Sequence, residues 1–166
     1  MQPDSSPKKY VLDTSALISG NVNPADPSFL IPSSVISEIR HGNLSMQLET
    51  LSETLSVTDP SAAAVEQVRK KARESGDLSK MSSTDVDVVA VAMEHGGTVV
   101  TDDFAIQNVC SHLRIEFIPS GKAPIKDRVK WIGKCSGCGK TYAQTSGTCG
   151  ICGHQIRRIR SSSRKA

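Results

Sequence analysis

Eight residues of this chain have types and spacings suited to chemistry, and they fall into two sets that call for different metals. Four are scattered carboxylates: Asp13, Glu38, Asp85 and Asp103. Four are cysteines in two close pairs, Cys135/Cys138 and Cys149/Cys152. Carboxylates are hard oxygen donors that suit one or two Mg²⁺ or Mn²⁺ ions, which keep part of their water shell. Such ions activate water and stabilise the leaving oxygen of a phosphodiester. Two CxxC pairs instead suit one tetrahedral Zn²⁺, a closed structural site with no position left for catalysis. Glycine follows each pair at once (Gly139 and Gly153), so backbone amides can approach the sulfurs. His154 is not needed as a ligand.

The elements that must position the acids follow from local pattern. Tyr10-Val11-Leu12 reads as a short buried strand ending in Asp13. Thr98 to Thr101 reads as another, followed by Asp102 and Asp103. In a parallel sheet both strand ends point to one edge, where open α/β sheets place their ligand crevice. Glu38 lies in a helix of residues 33–40, capped by Ser33 or Ser34, after a short strand at residues 29–32. Asp85 opens a helix of residues 83–94 and shares its apolar stripe with Val88, Val89 and Ala92, whereas Asp87 faces water. Further helices are expected from Asn43, at residues 61–74 and at residues 103–113, with a strand at residues 115–118. Strands alternating with helices imply a mainly parallel α/β sheet flanked by helices.

Each acid also has a plainer reading. Asp85 completes a capping box with Ser82 and complements the helix dipole. Asp13, Asp102 and Asp103 can each cap the helix that follows. Glu38 can be a solvated helix residue. The strand pattern does not choose between Asp102 and Asp103.

After residue 120 the composition changes. Residues 1–120 hold 9 Lys+Arg against 16 Asp+Glu, and residues 121–166 hold 11 against 1, so −7 and +10 give the overall +3. The expected organisation is an α/β domain at 1–120, a linker at 121–129, a Cys₄ zinc ribbon at 130–157 and a basic tail at 158–166. A module this small cannot build a core, so zinc must supply its folding energy. Lys130, Lys134, Lys140, Arg157, Arg158 and Arg160, interleaved with Trp131 and Tyr142, read as an RNA-binding face: cations neutralise phosphates and aromatics stack bases. Cys110 reads as a small core residue, and His41, His95 and His112 as helix-end cations. No apolar run approaches a membrane span, and the N-terminus has no apolar signal core. The expectation is a cytoplasmic protein without disulfides.

Four stretches in order, KYVLDTSALI, SVISEI, the stretch STDVDVVAVA and VVTDDFAIQN, resemble PIN-domain ribonucleases. The resemblance implies a PIN-like parallel sheet, metal-dependent cleavage of single-stranded RNA, and metal-binding acids at Asp13, Glu38, Asp85 and Asp103, with Asp102 as a possible helper. With the ribbon, the whole chain resembles the archaeal endonuclease family that matures the 3′ end of small-subunit rRNA. That implies precursor rRNA and the pre-ribosomal particle as partners. Two other readings stay open. One is a toxin-type PIN ribonuclease acting on tRNA, a group expected to lack a ribbon. The other is a non-catalytic zinc-ribbon assembly factor that binds RNA.

Overall fold

The computed structural model describes residues 7–19, 22–41, 55–121, 125 and 128–161. The helix expected from Asn43, part of the expected linker and the end of the basic tail lie outside these residues. Four parallel strands form the main sheet in the order β2-β1-β3-β4: β1 (Tyr10–Leu12), β2 (Phe29–Leu30), β3 (Thr98–Val100) and β4 (Phe117–Ile118). Val11, Leu12, Val99 and Val100 are buried on this sheet, as apolar runs in parallel strands require. Ile31 extends the β2 edge by an isolated parallel bridge to Val57.

Among the described residues five α-helices accompany the sheet: α1 (Thr14–Ile18), α2 (Ser33–His41), α3 (Ala62–Ser75), α4 (Ser83–His95) and α5 (Phe104–Leu113). Their ends follow cap chemistry. Asp13, Ser61, Ser82 and Asp103 cap α1, α3, α4 and α5, and Gly76 and Gly96 end α3 and α4 in the left-handed conformation. α4 buries Val86 and every residue from Val88 to Ala92, so it is the central helix of the core. α2 departs from expectation. Neither serine caps it: the Ser33 amide donates to Asp59 (2.9 Å), and Ser34 Oγ is buried without a partner. A carboxylate 26 residues away won because it accepts the orphan N–H more strongly than a neutral hydroxyl. The last sheet strand is also shorter than expected, because Arg114 ends α5 at φ 60° and the chain turns before pairing.

A second sheet is antiparallel, order β6-β5-β7, built from β5 (Trp131–Cys135), β6 (Thr141–Tyr142) and β7 (Ile156–Arg160). Its small core is Cys135, Cys149 and Ile156. It is held against the main domain by side chains. Asp77, 1% exposed, accepts from Ser75 Oγ (2.7 Å), Asn108 Nδ2 (2.6 Å) and the guanidinium of Arg158 on β7. That guanidinium lies 4.2 Å from the Trp131 ring. A methyl at Gly76 would meet the Trp131 carbonyl at 2.5 Å, so the seam needs glycine for close approach as well as for its φ of 81°. The connecting chain is pinned to α5 by Ile125 N to Gln107 Oε1 (2.9 Å) and Val129 N to Asn108 Oδ1 (2.8 Å). Among the described residues no helix is long and apolar enough to cross a membrane.

Candidate metal centres and nucleic-acid interface

The edge at the carboxyl ends of β1 and β3 brings Asp13 and Asp103 together through one hydroxyl. Thr101 donates to Asp13 Oδ2, and its oxygen accepts from the Asp103 amide at 3.0 Å. Asp13 is 4% exposed, and its Oδ1 accepts from Ala16 N (2.6 Å) and Ser15 Oγ (2.9 Å). Asp103 Oδ1 accepts from Ala105 N and Ile106 N at 2.6 and 3.1 Å. Glu38 is tied to the same edge by Thr14, whose hydroxyl donates to Oε2 at 2.8 Å. Asp85 and Ser82 form a capping box: the Ser82 amide donates to Asp85 Oδ2 (2.6 Å) and the Asp85 amide donates to Ser82 Oγ (3.1 Å). The capping reading therefore holds for Asp13, Asp85 and Asp103 and leaves room for a functional one. Capping fixes one oxygen each of Asp85 and Asp103 while the other, like Glu38 Oε1, meets no donor among the described residues.

Electrostatics link the set. Burial pushes the Asp13 carboxyl above its ordinary value against the hydrogen bonds that favour its anion, and the charge of Asp103 adds to the rise. Burial likewise pushes Asp85 up, and both Asp103 and Glu38 repel it. All four acids thus share one field, which a divalent cation would relieve. The donors fit Mg²⁺ or Mn²⁺: all are oxygen, and most have a lone pair to spare.

Asp102 points elsewhere. Its Oδ1 accepts from Ser120 N (2.9 Å) and Gly121 N (3.0 Å), so it fastens the chain leaving β4. It still lines, with Ser15, Lys80, Asp103 and Phe104, a cavity of about 500 Å³ beside the acids. Lys80, Thr14, Ser15 and Thr101 were not foreseen as site residues. The hydroxyls had a local signal, since each lies within two residues of an acid; Lys80 had none.

In the ribbon the four sulfurs lie within 4.8 Å of one another. Cys135 and Cys152 are 3.3 Å apart and Cys138 and Cys149 3.6 Å, far beyond a disulfide and close to the ~3.8 Å edge of a tetrahedron with 2.3 Å zinc–sulfur bonds. Tyr142 donates to Cys149 Sγ at 2.9 Å, and with the amides of Cys152 and Ile151 it holds that thiol down at about 5. Cys138 goes the other way: against the Lys140 amide, desolvation and the neighbouring sulfurs push its thiol up to about 11, so the charge falls on one side of the cluster and a metal would have to displace the remaining protons. Cys110 is fully buried, and burial pushes its thiol up to about 12, as a core residue should show.

Of the expected RNA face, Lys130, Lys134, Lys140, Arg157 and Arg160 are exposed, and Lys140 Nζ sits 5.8 Å above the Tyr142 ring. Two members are placed otherwise. Arg158 is paired with Asp77, and Trp131 carries that guanidinium on its ring, so both belong to the seam between the domains. Tyr142 turns its hydroxyl to the cysteines. His112, expected only to complement a dipole, lies 3.0 Å from the Val129 carbonyl.

The chain is similar to several known proteins. Residues 10–94 match the PIN domain of ribonuclease. Ribonuclease VapC1 of Thermoplasma acidophilum is 40% identical over 149 residues, covering 90% of this chain and 77% of that protein. Endoribonuclease Nob1 of Methanothermobacter thermautotrophicus is 36% identical over 160 residues, 92% of this chain and 93% of that one. Endoribonuclease Nob1 of Pyrococcus abyssi is 32% identical over 155 residues, 91% and 93%. The FitAcB crystal structure from Neisseria gonorrhoeae superposes with a TM-score of 0.51 at 18% identity, over 69% of this chain and 99% of that one, which speaks for the fold alone. The chain belongs to the PIN-domain ribonucleases and is an endoribonuclease of that family.

Proposed function

We propose that this endoribonuclease cleaves single-stranded precursor rRNA at the 3′ end of small-subunit rRNA, through divalent ions at Asp13, Glu38, Asp85 and Asp103, while a zinc-folded ribbon holds the RNA. The observation that carries the reading is Thr101, whose single hydroxyl joins Asp13 to Asp103 at the sheet edge. A bound Mg²⁺ or Mn²⁺ supplies Lewis-acid polarisation of the phosphodiester and acidification of water. The protein's part is placement. Asp13 is locked by three donors, Asp103 and Asp85 by backbone amides, and Glu38 by Thr14, so each carboxylate meets the cation with little reorganisation. Exposed Lys130, Lys134, Lys140, Arg157 and Arg160 lie on the docked ribbon, where they neutralise phosphates while the acidic edge takes the scissile segment. Similarity to the Nob1 endoribonucleases over more than nine tenths of this chain favours the rRNA target.

One observation favours a second reading, a toxin-type ribonuclease. The VapC1 match spans 149 of 166 residues at 40% identity and so reaches beyond the nuclease domain into the cysteine module. Cleavage decides between them. The zinc-loaded protein is incubated with an RNA spanning a small-subunit rRNA 3′ end, and separately with tRNA, with and without Mn²⁺. A single Mn²⁺-dependent cut at the rRNA 3′ end is expected. Cutting of tRNA alone would transfer the assignment to the toxin class. RNA binding without any cleavage would leave an inert assembly factor.

A further inference from the structure

The seam between the domains holds a cavity of about 220 Å³ that the cleavage site does not account for. Phe104, Asn108, Ile125, Val129, Trp131 and Arg158 line it. Phe104 is also a wall of the carboxylate cavity, so the two spaces are neighbours across one aromatic ring. That ring is 58% exposed although it is the first residue of α5, immediately after Asp103. A large aromatic held in water beside a cation-binding edge covers no core. Lys80 stands on the carboxylate side, so a cation flanks the ring where a polyanion would enter the acidic edge, while Arg158 on the seam side is neutralised by Asp77.

We propose that the seam cavity receives one unstacked base of single-stranded RNA next to the cleaved phosphodiester, with Phe104 as the stacking platform and Trp131 as the facing wall. This deepens the reading above and rests on it. The size sets the occupant: the space is smaller than the roughly 300–1,000 Å³ of a drug-sized pocket and admits one ring system. The polar atoms set the selectivity. Both groups of the Asn108 amide are engaged, Nδ2 with Asp77 and the Val129 carbonyl, and Oδ1 with the Val129 amide. Arg158 Nε, buried without a partner among the described residues, is the one donor left, and any base can meet it with a ring nitrogen or carbonyl, so recognition is mainly by stacking and tolerates exchange of the base.

Trp131 is the chain's single tryptophan, so its fluorescence reports this cavity. The zinc-loaded full chain is titrated with a short labelled single-stranded RNA without Mn²⁺, following RNA anisotropy and Trp131 emission together. Binding should quench Trp131. Phe104→Ala should weaken binding about five- to hundredfold, and Phe104→Tyr should restore it. Scanning an abasic residue along the RNA should find one position that removes the quench and cancels the Phe104→Ala effect, whereas exchanging the base there changes little. Normal anisotropy with unchanged emission, and Phe104→Ala binding like the parent, would overturn the cavity assignment while leaving RNA binding intact. Quenching by an apolar peptide but not by RNA would also overturn it. Failure of the RNA to bind at all would overturn both readings.

Discussion

The two metal-type centres of this molecule are built on opposite plans. In the ribbon, four sulfurs converge from two tight knuckles with a few short hairpin contacts around them, and little else is buried there. At the sheet edge, four carboxylates arrive from β1, α2, α4 and the β3–α5 junction, each fixed by its own cap or hydroxyl, and they stand further apart. The ribbon buries little besides Cys135, Cys149 and Ile156, so a metal at its sulfurs would supply folding energy, whereas the main domain has a core of its own and an electrostatic deficit that a cation would fill. Removing ligands should therefore unfold one and merely silence the other.

The largest effect should come from the ribbon. Cys149→Ser opens the sulfur cluster and forfeits most of the about 10–16 kcal/mol a structural zinc supplies, so zinc content and ribbon amide protection should collapse together while the sheet domain stays folded. Next is the bond between the regions. Arg158→Met leaves Asp77 buried and uncompensated, a loss of about 3–5 kcal/mol in urea unfolding. Adding Asp77→Asn should recover much of it, since the charge that needed a partner is gone. A smaller, purely catalytic effect is expected from Thr101→Val, which keeps the fold but unties Asp13 from Asp103. Cleavage should fall about 10–100-fold, as for other supports of metal ligands, with melting little changed.

The smallest effect concerns protons. Asp13 and Asp85 have native values raised above 3.8. As pH rises from 3.8 to the raised values, the unfolded chain ionises before the native one, so these groups remove stability across that window instead of adding it. A divalent ion must displace the same protons. Mn²⁺ calorimetry in two buffers of different ionisation enthalpy should then show more proton release, and weaker binding, near pH 5 than at pH 7.

Much of this was legible in the chain because it is local. Asp13 and Asp103 follow short apolar strands, Ser61 and Ser82 precede helical runs, and CxxC spacing announces its own geometry. What stayed hidden is what sequence distance conceals. Asp77 meets Arg158 across 81 residues, and nothing near either residue marks the other as its partner. Arg158 and Trp131 looked like an RNA-binding pair because a cation beside an aromatic has the same composition whether it faces phosphate or a buried carboxylate. Asp102 and Asp103 could not be separated by alternation alone; the fold separates them by giving Asp102 the Ser120 and Gly121 amides and Asp103 the Thr101 hydroxyl.

The claim beneath the rest is that the scattered acids act as one cation site for RNA cleavage. Its most direct test is Asp13→Asn in the zinc-loaded protein, measured as Mn²⁺ binding and as cutting of single-stranded RNA in the same preparation. The expected result is loss of both, with zinc content and RNA affinity unchanged. An Asp13→Asn protein that binds Mn²⁺ and cuts RNA as fast as the parent would contradict it.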